Sequence, residues 1–474
     1  MGHRLGLSVL SIAYLLVGLL HVVPAAELRI DVGREAGKIR PLHGVNSGPL
    51  CCGETLDLSD FFRQMAPPLV RLHDCNWPNG DVVDVHAVFP DFRADATRPE
   101  SYRFDRSDDY LRPIFAAGSN VVYRLGESIE HSKKKYHVHP PADPQQWAAI
   151  CTGIISHYNE RWANGFQYNI RYWEIWNEPE NRPAMWTGDD EQYFRLYSTV
   201  AKAIKTRFPK LMVGGPAVGY TGSVKDGRFE PGEFVVKFLE HCKQDSAPLD
   251  FFSWHIYTND PRAVVERAKA MRKVLDDRGF ARTESHLNEW NFLPDNDWMP
   301  MLSKDGAVRQ RWFERVGGPQ GAAFTAATLL LLQDAPLDVG NYYSADHQGF
   351  GAFNGYGVPK KNFYALKAFK SLSDASLRLP IGSKLPAGVA ACAGINADRS
   401  EVVVLLSNYA APKTDVALML ADLPWKGPTV CDVLLLDEKR DLTRVQQTES
   451  PAGECCVAVA LPPATVWLLK LRAR

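Results

Sequence analysis

Two short segments of this chain each carry a glutamate among aromatic side chains. The first is Tyr-Trp-Glu-Ile-Trp-Asn-Glu-Pro at 172–179, and the second is His-Leu-Asn-Glu-Trp-Asn at 286–291. Each segment reads as a strand that ends in a carboxylate, Glu178 in the first and Glu289 in the second. Cleavage of a glycosidic bond uses two such groups, because one protonates the leaving oxygen while the other attacks the anomeric carbon or activates water. The two glutamates are therefore the first candidates for a catalytic site.

Polar and aromatic residues near predicted strand ends are candidates for holding a sugar. The amide of Asn177 can hydrogen-bond a sugar 2-hydroxyl, a contact that tightens in the transition state. Trp290 follows Glu289, and flat aromatic side chains can cover the apolar face of a pyranose ring. His73 and Asp74 end another predicted strand and can bind hydroxyl groups. We predict substrate contacts for all four residues.

Three further residues are predicted to contact the substrate or the catalytic groups. His255 and Tyr257 alternate along one strand and therefore share a face. The hydroxyl of Tyr257 can also hold the carboxylate of a nucleophile by a hydrogen bond. Asp346 lies at the end of the last predicted strand of this part of the chain, where it can bind a sugar hydroxyl.

Arg71 has two roles that the sequence leaves open. It can lie beneath Glu289, where its charge would support the nucleophile by keeping that carboxylate ionised. It can equally be a buried ion-pair partner of Glu174, which shares a strand face with Glu178.

An alternation of strand-like and amphipathic segments runs over residues 38–375. The predicted strands are Leu42–Asn46, Leu69–Asp74, Val121–Gly126, Tyr172–Glu178, Leu211–Gly215, Phe251–Tyr257, His286–Trp290 and Val339–Ser344. Helical patterns separate them, such as Asp143–Arg161, where Asp143 can cap the first turn. This alternation predicts an α/β fold, a (β/α)8 TIM barrel, with a doubly wound sheet as the alternative. The barrel is favoured because both glutamates end strands, the fourth and the seventh.

Two other segments complete the predicted organisation. After the seventh strand, Trp298–Arg315 is predicted to be a long loop that shapes the substrate site. Residues 376–474 carry short apolar or alternating runs that predict a C-terminal antiparallel β-sandwich domain, joined by a strand from residues 27–37. The runs are Val402–Leu406, Asp415–Leu420, Thr429–Leu435, Val457–Leu461 and Thr465–Leu471.

These motifs resemble clan A of the glycoside hydrolases, and within it family 39. The resemblance rests on Asn-Glu-Pro at 177–179 and on Glu289, together with Val-Arg-Leu-His-Asp at 70–74 and Ser-Trp-His-Ile-Tyr at 253–257. Ser-Ala-Asp at 344–346, Gly-Phe-Gly at 349–351 and Pro-Lys-Lys at 359–361 also match. The family contains β-xylosidases and α-L-iduronidases, all retaining. The resemblance implies that Glu289 is the nucleophile and Glu178 the acid/base, with no cofactor. Asn288 departs from the Thr or Ser that usually precedes the nucleophile.

We expect a glycoside hydrolase that acts on an oligosaccharide or polysaccharide, with a β-D-xyloside as the preferred substrate. The alternatives are another clan A enzyme (an arabinofuranosidase, an iduronidase or an endo-glycanase) and a non-catalytic carbohydrate-binding protein. An iduronidase must hold a carboxylate, and the predicted strand ends offer few cations. The exceptions are Lys304, Arg309 and Arg311 in the long loop. The 54 basic and 55 acidic residues argue against a nucleic-acid partner.

The first 25 residues read as a secretory signal peptide, which predicts a secreted or periplasmic protein. A positive charge at Arg4 precedes an apolar run, Leu5–Leu20, and small residues precede a cleavage point near Ala25. The run is shorter than the roughly 20 residues of a membrane span, so no span is expected once the signal is removed. The chain has nine cysteines, whose disulfide pairing the sequence leaves open, and no spacing typical of zinc ligands, so we predict no metal. The oligomeric state is also left open.

Overall fold

The structure is a computed structural model that describes residues 26–49, 56–75, 80–347 and 349–474. The predicted signal peptide and two of the cysteines, Cys51 and Cys52, lie outside the described residues. The other cysteines are all free thiols.

The described residues form twenty strands and ten α-helices. The strands are β1 (Ala26–Asp31), β2 (Gly37–Lys38), β3 (Gly44–Asn46), β4 (Leu69–Leu72), β5 (Asn120–Leu125), β6 (Tyr172–Ile175), β7 (Met212–Val218), β8 (Gly222–Lys225), β9 (Arg228–Pro231), β10 (Phe251–Thr258), β11 (Glu284–Phe292), β12 (Val339–Tyr342), β13 (Leu377–Leu379), β14 (Val389–Ile395), β15 (Glu401–Asn408), β16 (Thr414–Ala421), β17 (Thr429–Leu436), β18 (Thr443–Ser450), β19 (Cys455–Leu461) and β20 (Thr465–Ala473). The helices are α1 (Ser59–Met65), α2 (Val85–Val88), α3 (Asp105–Ala116), α4 (Pro144–Glu160), α5 (Asp190–Arg207), α6 (Glu233–Gln244), α7 (Pro261–Asp277), α8 (Gly306–Gly317), α9 (Pro319–Leu331) and α10 (Lys361–Asp374).

Eight parallel strands close into a barrel, which confirms the predicted TIM barrel. Their order around the barrel is β3-β4-β5-β6-β7-β10-β11-β12, and β12 pairs with β3. Alternation along each strand separates two environments. On β6, for example, Trp173 is fully buried among apolar residues, whereas Glu174 reaches a polar network that includes Arg71. The apolar layer under the helices thus supports a polar barrel interior.

The C-terminal region forms two packed sheets, which confirms the predicted sandwich. One sheet has the order β18-β17-β20-β15-β14-β13-β2, and the other has the order β1-β16-β19. Most neighbouring strands in these two sheets are antiparallel, but β1 pairs in parallel with β16. Helix α9 is buried along most of its length because it packs against both β11 of the barrel and β14, β15 and β20 of the sandwich.

Two parts of the sequence prediction differ from the structure. The segment Trp298–Arg315 is not a loop throughout, because α8 begins at Gly306, with Asp305 as its N-cap. In the sandwich, β13, β14 and β18 were not predicted. Strand β18 is exposed along its length and carries polar residues, so it lacks the apolar alternation that marks a strand. In the part of the chain that the structure describes, no helix is both long and apolar enough to cross a membrane.

Candidate active site

Glu178 lies just beyond β6, in a loop held against the next strand. Its backbone N–H donates to the carbonyl of Ala217 on β7, 3.1 Å away. Its φ of 42° and that of Trp176, 70°, fall in the left-handed region that residues other than glycine seldom adopt. Such backbone conformations persist where surrounding contacts enforce them, and they concentrate at functional sites.

Glu289 lies on the seventh barrel strand, β11, next to a β-bulge. The pairing of β10 with β11 skips Asn288, so that two consecutive residues of β11 both reach the barrel interior. Asn288 donates its side-chain N–H to Glu174, while Glu289 contacts Arg71. Asn288, which departs from the family pattern, is therefore a hydrogen-bond partner of the buried carboxylate of Glu174.

Arg71 combines both of the roles that the sequence left open. Its side chain is fully buried, and its Nε donates to Glu174 over 2.7 Å while its Nη1 lies 3.4 Å from Glu289. The same guanidinium donates to Asn46 over 3.1 Å and to Asn177 over 2.6 Å. One arginine thereby fixes the orientation of Asn177 and supplies positive charge beneath Glu289.

His255 lies between the two glutamates. Its Nδ1 donates to Glu178 over 2.8 Å and is 3.7 Å from Glu289. Its Nδ1 and one carboxylate oxygen from each glutamate all lie within 4.8 Å of one another. The structure therefore brings together the two glutamates predicted from separate segments, with an imidazole between them.

Charge coupling in this triad opposes the effect of burial. Burial disfavours the imidazolium, but the charges of Glu289 and Glu178 outweigh it and raise the pKa of His255. Burial alone would raise the pKa of Glu178, but the hydrogen bond and charge of His255, with help from Asn181 and Arg71, hold it below its ordinary value. Glu178 and His255 are therefore coupled across their 2.8 Å hydrogen bond, and each favours the charged form of the other.

The surroundings of Glu289 raise its pKa, whereas those of Glu178 lower its pKa. Burial and the negative charge of Glu178 raise its pKa, against the charges of His255 and Arg71 and a hydrogen bond from Tyr257. The hydroxyl of Tyr257 donates to Oε1 of Glu289. These three partners favour the ionised form that a nucleophile needs.

A cleft opens above these groups, with a volume of about 960 Å³. On the side of Glu289 it is lined by Tyr257, Trp298, Tyr343 and Phe350. The rings of Tyr257 and Trp298 meet nearly edge to face with centroids 5.0 Å apart. This volume is near the upper end for small-molecule sites, so the cleft has room for more than one sugar ring.

His73 and Asp74 also line the cleft. Asp74 accepts a hydrogen bond from the N–H of Ile129 over 3.0 Å, and the hydroxyl of Tyr343 lies 3.3 Å from it. Burial raises the pKa of Asp74 to about 7. A carboxyl group that changes charge near neutral pH can either donate to or accept from a sugar hydroxyl.

Two residues predicted to contact the substrate do not line the described cleft. Trp290 is fully buried and packs on Tyr342 and Phe324, because Glu289 faces the interior and its successor must face the helices. Asp346 is also buried, near enough to Lys360 to favour the charged form of that ammonium. These two substrate contacts stay predictions that the described cleft lining does not support.

Several residues at the cleft were not predicted. Asn181 donates to Glu178 over 2.9 Å, and its position three residues after that glutamate was a signal that could have identified it. Trp298 belongs to the aromatic segment that was expected to shape the site. Tyr220 and Arg267 come from a segment after β7 and from α7, and nothing local in the sequence marks them.

Two groups of described residues have the composition of metal ligands. One is the triad of Glu178, His255 and Glu289 itself. The other comprises Asp84, His86 and Glu127, in which Asp84 already pairs with the buried guanidinium of Arg124 and Glu127 with His86. These pairings fit an ion-pair network, and the expected absence of a metal stays a prediction.

A TIM barrel with one glutamate after its fourth strand and another on its seventh defines the architecture of a clan A glycoside hydrolase. The sequence profile of glycosyl hydrolases family 39 matches residues 82–417, and the chain belongs to this family.

Relatives of known activity agree with this membership. A β-xylosidase of Geobacillus stearothermophilus is 29% identical over 51% of this chain and 49% of its own length. A β-xylosidase of Caldicellulosiruptor saccharolyticus is 25% identical over 68% of this chain and 63% of its own length. The chain therefore spans between about half and two thirds of each relative. The crystal structure of a glucosidase from Croceicoccus marinus superposes with a TM-score of 0.81, at 25% identity, over 95% of this chain and 99% of that one.

Proposed function

We propose that this glycoside hydrolase is a retaining enzyme that releases a β-D-xylosyl group, with Glu289 as nucleophile and Glu178 as acid/base. The observation that carries the proposal is that one carboxylate oxygen of Glu178 and one of Glu289 lie within 4.8 Å of each other, beside His255. Retaining enzymes hold their two carboxyl groups about 5–5.5 Å apart, whereas inverting enzymes need about 6.5–9.5 Å to admit a water molecule. The observed spacing favours direct attack.

In the first step Glu289 attacks the anomeric carbon while Glu178 protonates the leaving oxygen. The bond from the anomeric carbon to the leaving oxygen breaks as the bond to Glu289 forms. The acid form of Glu178 carries this proton, and His255 can deliver it across their 2.8 Å hydrogen bond. Arg71 and Tyr257 hold the attacking carboxylate ionised and oriented.

In the second step water displaces Glu289 from the sugar. Glu178, now deprotonated, takes a proton from the water as the oxygen attacks the anomeric carbon. Esterification has removed the negative charge of Glu289, which lowers the pKa of Glu178 further and suits a base. The two displacements return the sugar with its original configuration.

A neutral sugar fits the part of the cleft next to the nucleophile. The described residues lining that part are aromatic or carry carboxyl and imidazole groups, with no Arg or Lys among them. Lys304, Arg309 and Arg311, the cations that could have bound an iduronate, are absent from the described lining. The names of the two β-xylosidase relatives agree with a neutral pentose.

A panel of aryl glycosides tests the substrate. We expect the highest kcat/KM on aryl β-D-xyloside, compared with aryl β-D-glucoside, α-L-arabinofuranoside and α-L-iduronide. A preference for the glucoside would align the protein with the Croceicoccus glucosidase, and a preference for the iduronide would overturn the neutral-sugar argument. No turnover of any glycoside would favour a binding protein.

We also propose that the protein is exported. The support is the sequence pattern of residues 1–25. Expression of the full chain in a bacterial host, followed by N-terminal sequencing, tests this proposal. A mature protein in the periplasm or medium that begins near Ala26 is expected, and a full-length cytoplasmic protein would contradict export.

A further inference from the structure

One arginine lines the cleft without a carboxylate partner in the described part of the chain. Arg267, on α7, is partly buried, and its Nη1 donates to the hydroxyl of Thr221 and, over 3.1 Å, to the carbonyl of Gly222. One face of its guanidinium is covered by the ring of Phe229, 4.9 Å from the centroid. Among the described residues, no protein acceptor takes the Nε and Nη2 hydrogens.

An arginine in this setting is costly to leave without an anion. Burial lowers the pKa of Arg267, and no aspartate or glutamate of the described residues is among the groups that oppose this effect. Elsewhere in the described protein, buried arginines such as Arg71 and Arg124 pair with carboxylates. The planar edge of a guanidinium matches the two oxygens of a carboxylate. The missing partner at Arg267 therefore has the chemistry of a ligand carboxylate.

The position of Arg267 places such a ligand on the side of Glu178. The segment that anchors Arg267 follows directly on Gly219, and a Cβ at Gly219 would lie 2.5 Å from Oε1 of Glu178. The intervening residue, Tyr220, lines the same cleft and is 58% exposed, so its ring is available to a ligand. Groups beside the acid/base lie next to the leaving group. Groups beside the nucleophile lie next to the sugar whose anomeric carbon is attacked.

Two carboxyl groups also face this region, and one of them is partly neutralised. The side chain of Glu180 accepts hydrogen bonds from the N–H groups of Gly219, over 2.6 Å, and Tyr220, over 3.1 Å. Burial and the charge of Glu178 raise the pKa of Glu180 to about 7. Glu178 itself is hydrogen-bonded to His255 over 2.8 Å. The repulsion that an incoming carboxylate meets is thereby reduced.

We propose that Arg267 and Tyr220 form a subsite for an acidic sugar in the leaving-group part of the substrate, with Arg267 binding its carboxylate and Tyr220 its ring face. This proposal rests on the proposed roles of Glu178 and Glu289. The enzyme would then release a neutral sugar from a uronic-acid-containing oligosaccharide.

Binding without turnover tests the subsite separately from the cleaved sugar. The probes are methyl β-D-glucuronoside and methyl β-D-glucoside, which differ only at C6, where the first carries a carboxylate and the second a hydroxymethyl group. Their dissociation constants are measured by NMR titration of the full chain at low salt. Wild type should bind the glucuronoside about tenfold more tightly, as expected for one charge-assisted hydrogen-bonded pair. In Arg267→Gln the ratio should fall to about one, with affinity for the glucoside unchanged, and Arg267→Lys should be intermediate.

The matched control is Arg195→Gln, an exposed arginine on α5. It should keep the wild-type ratio and its reduction by added salt. Equal affinity of wild type for the two probes would overturn the proposal. A preference that survives in Arg267→Gln would also overturn it, because the carboxylate would then bind elsewhere in the cleft. If Arg267→Gln does not fold, the wild-type ratio together with that of Arg267→Lys decides the matter. Absence of xyloside hydrolysis would contradict only the proposed function.

Discussion

Removal of one hydroxyl group, in Tyr257→Phe, tests how the nucleophile is held. The hydroxyl of Tyr257 donates to Oε1 of Glu289 and lowers the pKa of that carboxylate. The change leaves the ring in place against Trp298, so the cleft should keep its shape. The effect should therefore fall on the charge of Glu289.

The expected magnitude follows from the step in which the carboxylate regains its charge. A hydrogen bond to a charged group contributes about 1.5–3 kcal/mol. In the second displacement Glu289 departs as an anion, so most of this stabilisation is missing from the transition state of the variant. Because about 1.36 kcal/mol corresponds to tenfold in rate, kcat limited by this step should fall about 10- to 150-fold.

The pH dependence has a definite sign. Loss of the hydrogen bond raises the pKa of Glu289, and the first step requires its ionised form. The acidic limb of kcat/KM should therefore move to higher pH, while kcat/KM above that limb changes less than kcat. KM should fall together with kcat, because the glycosyl-enzyme accumulates.

The assay is steady-state hydrolysis of dinitrophenyl β-D-xyloside across pH, since this leaving group makes the second step limiting. Tyr343→Phe is the matched control, because it removes a hydroxyl from the same cleft that contacts Asp74 and not Glu289. An unchanged kcat and an unmoved acidic limb in Tyr257→Phe would refute the proposed support of the nucleophile.

Three further changes have distinct expected outcomes. Arg71→Met leaves the buried carboxylates of Glu174 and Glu289 without their cation. It should lower the free energy of unfolding, measured by urea denaturation, by about 3–5 kcal/mol. A loss below about 1 kcal/mol would show that the network is not needed for stability. Gly219→Ala places a Cβ 2.5 Å from Oε1 of Glu178 and should reduce hydrolysis of unactivated xylosides far more than of the dinitrophenyl xyloside; equal effects on both substrates would argue against displacement of the acid. Glu178→Ala should retain activity on the dinitrophenyl xyloside and be rescued by azide, whereas Glu289→Ala should lose activity on every substrate; equal losses in the two variants would contradict the assigned roles.

The barrel could be predicted from the sequence because its signals are local. Strand and helix patterns alternate regularly, and single residues mark helix starts, as at Asp143, whose side chain accepts from the N–H of Gln145 over 2.8 Å. The two glutamates were identifiable because each lies in a specific run of residues at or near the end of a predicted strand. In the sandwich, β14 was missed because its small residues resemble a loop, and β18 because it is an exposed polar strand.

The remaining parts of the site depend on contacts between distant segments. The bulge at Asn288 changes which side chains of β11 face the interior, and periodicity alone does not reveal an extra residue. Arg71 contacts four residues from three other strands or their loops, so neither of its two predicted roles excluded the other. Arg267 reaches the cleft from a helix, and only the folded chain shows that no described carboxylate pairs with it.

The most direct test of the catalytic assignment is to trap the glycosyl-enzyme. A 2-deoxy-2-fluoro dinitrophenyl glycoside of the preferred sugar should inactivate the enzyme. The fluorine slows both steps, and the activated leaving group keeps the first step fast enough for the glycosyl-enzyme to accumulate. Mass spectrometry of the intact protein should show one added fluoroglycosyl group, and peptide mapping should place it on Glu289. A label on another residue, or an inverted first product by NMR in an enzyme that never becomes labelled, would contradict the mechanism.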